Sequence, residues 1–211
     1  MLDLYTFTTP NGWKISIMLE ELGVPYNVHV VHIGKDEQFK PEFLKISPNN
    51  KIPAIVDSDG PGGKPISVFE SGAILIYLAQ KFKSPLLPSD TRGFTAVTEW
   101  VFFQMASLGP MLGQLGHFRR FAKEKIPYAI DRYTVECKRI MGVMDKRLAD
   151  NAYLGGPDYS IADIACHGWV IAAERMFEGL GEWPNVKRWH EAIGARPAVQ
   201  RGLKVPVLPP S

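Results

Sequence analysis

The chain has 211 residues, 45% of them hydrophobic and 22% charged, with a formal net charge of +2. That length supports one large or two small domains with real cores, in an ordinary globular composition, and the charge is too mild to point to nucleic acid. Two cysteines, Cys137 and Cys166, argue against a secreted disulfide framework and fit a reducing compartment.

The chain enters a strand pattern at once, with Leu2-Asp3-Leu4-Tyr5-Thr6-Phe7, so no signal peptide is expected. Thr8-Thr9-Pro10-Asn11-Gly12 is a turn with helix-capping residues. Ile15, Met18, Leu19 and Leu22 then repeat at helical spacing up to Gly23, which suits a helix stop. A second strand is expected from Tyr26 to Ile33, and a short helical piece around Phe43-Leu44 ends before Pro48. Ala54-Ile55-Val56-Asp57 and Ile66-Ser67-Val68-Phe69 read as strands flanking the turn Asp59-Gly60-Pro61-Gly62-Gly63. Ser71 is expected to cap a helix with Ile74, Leu75, Leu78 and Phe82 on its apolar face. The order β-α-β-α-β-β-α suits a sheet with helices on its faces.

Residues 83–90, with Pro85 and Pro88, read as a linker, and almost everything beyond is helical. One amphipathic run starts at Thr91 and is expected to break at Gly109-Pro110. Another covers Tyr128 to Asp150, with Tyr133, Cys137, Ile140, Met144 and Leu148 about one turn apart. Ser160-Ile161-Ala162-Asp163 is a capping box, with Tyr159 and Ile164 at the staple positions. A final helix is expected after Trp183-Pro184, carrying Val186, Trp189 and Ile193, before an irregular Pro-rich tail from Val205 to Ser211. No apolar run reaches the ~18 residues of a membrane span. A soluble, cytoplasmic protein is expected, with an α/β domain at 1–82 and an all-α domain at 91–211.

Three motifs carry chemistry. Glu70-Ser71 stands where a strand hands over to a helix, whose N–H groups attract a carboxylate. Ser71 adds a hydroxyl and Glu70 can hold an ammonium, so the pair suits an amino-acid head group; the plainer reading is a capped helix with an acidic neighbour. Ile52-Pro53 is either an ordinary edge residue or a cis bond that offers the Ile52 backbone to an extended peptide. At the first turn, Thr9 or Asn11 either caps the helix or donates to a thiolate, which the helix dipole also stabilises. No cysteine lies there, so a reactive sulfur must arrive on a ligand. His29 and His32 have a metal-like spacing but point to opposite faces of a strand, and Cys166-His167 reads as a packed thiol, so no metal is expected.

Taken together, a thioredoxin-like domain with Ile52-Pro53 and Glu70-Ser71, a linker and a helical domain with Ser160-Ile161-Ala162-Asp163 resembles the cytosolic glutathione transferases over nearly the whole chain. Thr9-Pro10-Asn11-Gly12, the run from Ile46 to Asp57, Gly109-Pro110-Met111-Leu112-Gly113-Gln114 and the run from Pro127 to Tyr133 resemble the bacterial nu class and the related yeast nitrogen-regulator group. The resemblance implies that Glu70 and Ser71 hold the γ-glutamyl group of glutathione. It puts Ile52, with Pro53, against the cysteinyl unit, and Gln38, Asn50 and Lys51 towards the glycyl carboxylate. Thr9 and Asn11 would face the sulfur as the catalytic pair, and Arg132 matches an arginine that reaches the ligand across a homodimer.

Other classes set a Tyr, Ser or Cys beside the sulfur, whereas Tyr5 lies within the first strand here. The resemblance therefore implies a glutathione-dependent disulfide reductase, with glutathione as cosubstrate in its reduced or disulfide form and no metal, nucleic acid or membrane partner. Two alternatives stand beside it. One is conjugation of glutathione to an electrophile in an apolar pocket formed by Trp100, Phe103, Met111, Phe118 and Phe121. The other is a non-catalytic glutathione-binding regulatory module.

Overall fold

The computed structural model describes residues 1–207, which leaves the last part of the expected irregular tail, 208–211, outside the described residues. The chain forms two compact units. One comprises Met1–Ser84 and the segment from Ala195 onwards, the other Pro85–Gly194.

The first unit runs β1 (Leu2–Thr6), α1 (Pro10–Leu22), β2 (Tyr26–Val30), α2 (Pro41–Leu44), β3 (Ala54–Asp57), β4 (Ile66–Phe69) and α3 (Ser71–Lys81). Its sheet has the order β2-β1-β3-β4, with β2 parallel to β1 and with β3 antiparallel to both β1 and β4. This is the thioredoxin-like arrangement that the element order predicts. Leu4, Ile15, Met18, Leu19, Ile55, Ile74, Leu75 and Leu78 are wholly buried and bind α1 and α3 to the sheet. Each such side chain contributes roughly 1.5–3 kcal/mol by leaving water.

Strand β2 ends at Val30 rather than Ile33. Asp36 adopts φ 58°, and the Glu37 carboxylate accepts from the His32 amide at 2.7 Å, which folds the chain after Val31 into two short 3-10 turns.

A helix absent from the sequence reading, α9 (Pro197–Gly202), packs on α1. The backbones meet at Gly202, where a Cβ would stand 2.6 Å from the Ile17 nitrogen, and Ser16 Oγ donates to the Gly202 carbonyl at 2.7 Å. Arg196 grips Glu21 through two bonds of 2.7 and 3.0 Å, and Arg201 bonds Glu20 at 2.6 Å.

The second unit holds α4 (Thr91–Phe103), α5 (Gly109–Gly116), α6 (Pro127–Ala149), α7 (Ile161–Met176) and α8 (Pro184–Gly194). The expected break at Gly109-Pro110 is corrected. Gly109 is helical, at φ −64° and ψ −53°, and a π-turn over Gln104–Leu108 joins α4 to α5. Pro110 falls in the first turn of α5, where its missing N–H matters least. Cys137, Ile140, Met144 and Leu148 of α6 and Val186, Trp189 and Ile193 of α8 are all buried, as their spacing predicts, whereas Tyr133, in the same series, is only half-buried.

The Ser160 capping box opens α7 as expected. Asp163 is wholly buried and accepts from the Leu154 and Ser160 amides (both 2.9 Å), the Trp189 indole (2.8 Å) and the Ser160 hydroxyl (3.0 Å). Burial pushes its pKa up, and these four donors pull it back.

Candidate functional site

Strand register decides which loops of the first unit meet. Ala54 pairs with Tyr5 on one side and Phe69 on the other. Pro53, entering β3, and Glu70, leaving β4, therefore stand side by side, and the turn after β1 emerges at the same end. Thr6 is paired with Val30 of the parallel β2, so the loop carrying Gln38 starts from that end too. Thr9, Asn11, Ile52, Pro53, Glu70 and Ser71, far apart in sequence, thus belong to one edge of the sheet.

The Ile52–Pro53 peptide is cis. Among the described residues, the Ile52 N–H and C=O make no bond within the chain. Their neighbours are engaged: Ser47 Oγ donates to the Lys51 carbonyl at 2.8 Å, and Asn50, at φ 48°, donates its N–H to the Ser47 carbonyl at 2.9 Å. The segment is held from behind and offers one donor and one acceptor in front.

Glu70 carries the most unusual backbone at this edge, with φ 69° and ψ 115°. A non-glycine residue there lies outside the left-handed basin and costs on the order of 1–3 kcal/mol. The assignment of Ser71 as the helix cap is corrected, because Glu70 occupies the cap position and Ser71 is the first helical residue. The Glu70 carbonyl takes the first helical bond, from Ile74 N–H at 2.9 Å, and the Glu70 side chain makes no cap bond of its own. The N-terminus of a helix favours an anion. The Glu70 carboxylate is exposed and accepts from Asn49 Nδ2 at 3.4 Å.

Ser71 Oγ accepts from Lys14 Nζ at 3.1 Å. Lys14 is only 1% exposed. The sequence reading missed both Lys14 and Asn49. A signal for Lys14 existed, since it stands three residues before Ile17 and four before Met18, on the buried stripe of α1.

At the start of α1, Thr9 is the cap. Its backbone is extended, and its Oγ1 accepts from the Gly12 N–H at 3.1 Å. Asn11 is the second residue of the helix. Gly12 makes the approach possible: a Cβ there would stand 2.3 Å from the Phe7 carbonyl and 2.5 Å from Thr6 Oγ1. Any side chain would push α1, and with it Thr9 and Asn11, off the end of β1.

Gln38 lies in the loop after β2 with its Oε1 buried and unpartnered among the described residues; Lys51 is exposed. Arg132 belongs to the other unit, exposed on α6 in a hollow of about 530 Å³ shared with Met111 and Tyr128. The aromatic residues expected to line an electrophile pocket pair off separately: Trp100 packs edge-on against Phe103, Phe118 stacks on Tyr133, and Phe121 is 77% exposed.

Both cysteines are buried in the second unit, and burial pushes the Cys137 thiol up to about 12. His29 bonds Asp3 at 2.9 Å and stacks on Tyr5, and no cluster of three or more metal-ligating side chains occurs among the described residues.

Comparison with known proteins meets this geometry. The glutathione S-transferase N-terminal domain matches residues 8–81 and the C-terminal domain residues 127–192. The disulfide-bond oxidoreductase YfcG of Escherichia coli (strain K12) is 53% identical over 204 residues, which is 96% of this chain and 94% of that protein. The chain belongs to the glutathione S-transferase family. A solved glutathione transferase from Burkholderia graminis, with two glutathione molecules bound per subunit, matches at a TM-score of 0.92 and 48% identity, covering 98% of this chain and 88% of that one. A glutathione transferase from Pseudomonas putida, with one glutathione disulfide bound per subunit, matches at 0.91 and 45%, covering 97% and 91%. In this glutathione S-transferase, every candidate from Thr9 to Ser71 falls within the N-terminal match, and Arg132 falls within the C-terminal one.

Proposed function

We propose that this glutathione S-transferase is a glutathione-dependent disulfide-bond reductase of the nu class, working as a cytoplasmic homodimer with residues 1–82 as its glutathione-binding domain. The observation that carries the reading is a helix start at the end of β1 that holds no protein thiol. Thr9 and Asn11 open α1, while Cys137 and Cys166 are buried in the other unit. In this reading the thiolate belongs to a bound ligand. The name of the Escherichia coli relative and the glutathione disulfide in the Pseudomonas putida relative support the same chemistry.

In this reading the α3 start and Ser71 take the α-carboxylate of the γ-glutamyl group, and Glu70 takes its ammonium. The Ile52 backbone pairs with the cysteinyl unit across the cis Ile52–Pro53 bond. Gln38, Asn50 and Lys51 lie towards the glycyl carboxylate, and the partner subunit's Arg132 completes the site. Thr9 Oγ, Asn11 and the α1 dipole hold the sulfur as a thiolate.

That thiolate attacks one sulfur of a small disulfide, forming a mixed disulfide and expelling the other half as a thiolate. A second glutathione thiolate attacks the glutathione sulfur of the mixed disulfide and releases the remaining half. The substrate disulfide is reduced by two electrons, and two glutathiones become one glutathione disulfide. Alignment of the sulfur with the incoming disulfide supplies the remaining acceleration.

The test is turnover of hydroxyethyl disulfide by the double variant Thr9→Ala, Asn11→Ala. A loss of about 100-fold or more is expected, with folding unchanged, from removal of two donors to a developing charge. Retained turnover would remove both residues from the sulfur site. Initial rates on the disulfide should also exceed those on a chloronitroarene; the reverse order would favour conjugation.

A further inference from the structure

Lys14 stands at this edge and the glutathione-binding reading does not use it. We propose that Lys14 is a positioning residue for the ligand carboxylate, acting through Ser71; this inference rests on the glutathione-binding reading. A lysine ammonium is strongly hydrated, and burying it is costly unless it is hydrogen-bonded. Here it is 1% exposed and spans from α1 to the first residue of α3, donating to Ser71 Oγ at 3.1 Å.

That bond has a consequence for charge. A positive charge stands one hydroxyl behind the α3 start, where the positive end of the helix dipole already favours an anion. Ser71 is 6% exposed, so the charge acts through a shielded path rather than through open solvent. Glu70 is exposed beside it and supplies the opposite sign for an ammonium. A buried cation behind Ser71 and an exposed carboxylate at Glu70 make a two-signed socket, complementary to an α-amino acid head group carrying both charges.

The role predicts a specific split in binding. Calorimetry would compare glutathione with γ-aminobutyryl-cysteinylglycine, which keeps the amine and the thiol but lacks the α-carboxylate. In Lys14→Met, glutathione affinity is expected to fall about 10- to 100-fold, in the range of a lost ionic partner near a shielded carboxylate, while affinity for the analogue changes less than about twofold. Equal losses for both ligands would make Lys14 a purely structural residue, and unchanged glutathione affinity would remove it from the site; either result overturns the proposal.

A measurement on the unaltered protein covers the case in which Lys14→Met does not fold. With ¹⁵N-labelled lysine, the slowly exchanging Lys14 ammonium signal is expected to shift on adding glutathione and to stay put on adding the analogue. The same response to both ligands, or to neither, overturns the proposal. If the unaltered protein bound no glutathione at all, the functional reading itself would fall, an outcome distinct from either result for Lys14.

Discussion

Two helix starts in this protein are built from similar residues and end in opposite states. At α7 the Ser160–Asp163 box closes on itself, with four donors converging on a carboxylate that has no exposure. At α3 the hydroxyl and the carboxylate do not close on each other: Ser71 Oγ accepts from Lys14, Glu70 is exposed on a strained backbone, and the Glu70 side chain makes no cap bond. The closed start satisfies its own backbone and adds stability. The open one carries a local cost and keeps a carboxylate exposed. Satisfied polar groups hold a fold, whereas strained ones mark a binding edge.

The largest effect should come from opening the closed start. Asp163→Ala leaves two amides and an indole without their acceptor in the interior, and is expected to lower unfolding free energy by about 3–5 kcal/mol in urea denaturation. Glutathione affinity, measured on folded protein below the new melting temperature, should be unchanged. A loss under about 1 kcal/mol would mean that the box is dispensable.

Next in size is acid. In the same helical unit, His167 lies buried against His190, with ring centroids 4.7 Å apart, and burial holds its pKa down to about 3 against an ordinary 6.5. The unfolded chain therefore binds a proton that the native state refuses. Its contribution is intact above pH 6.5 and is lost as pH falls from 6.5 towards 3. About 2 kcal/mol should disappear between pH 7 and pH 5, and His167→Phe should flatten that part of the urea midpoint profile. Glu174, 3.6 Å from His190 Nε2, is the nearest opposing charge, so His190 titrates against it and adds to the slope where burial lowers its pKa. A profile unchanged by the substitution would contradict this account.

The smallest effect sharpens the comparison most. Glu70→Gly relieves a φ of 69° and should raise unfolding free energy by up to about 1 kcal/mol. The same change removes the carboxylate proposed for the γ-glutamyl ammonium, so glutathione affinity should fall by about tenfold. Stability and binding moving in opposite directions would identify Glu70 as a strained functional residue. Movement in the same direction would make its backbone a mere packing outcome.

Reading the chain in order recovers most of the fold, because hydrophobic period and turn residues are local signals. The stripe Ile15, Met18, Leu19 and the capping box at Ser160 are both where their spacing puts them. The candidate site was legible only as fragments. Ile52-Pro53 and Glu70-Ser71 each have a plain local explanation, and their meeting depends on Ala54 pairing with Phe69. Two local rules also failed. Pro110 was expected to end a helix, but the preceding π-turn carries the chain through it. Ser71 was expected to cap one, but a buried ammonium competes for its hydroxyl.

By itself, then, the sequence determined the elements, their order and the residue types available for chemistry, since periodicity, capping residues and the scarcity of cysteine act over a few residues. Only the tertiary structure decided what those residues do together. It turned Glu70 rather than Ser71 into the cap position, brought Lys14 from α1 to Ser71, laid α9 on α1 at Gly202, and left the Ile52 backbone without a partner among the described residues. The physical reason is range. A helix propensity is a property of one turn, but a hydrogen bond between residues 57 positions apart exists only once strands have chosen their register and helices their faces.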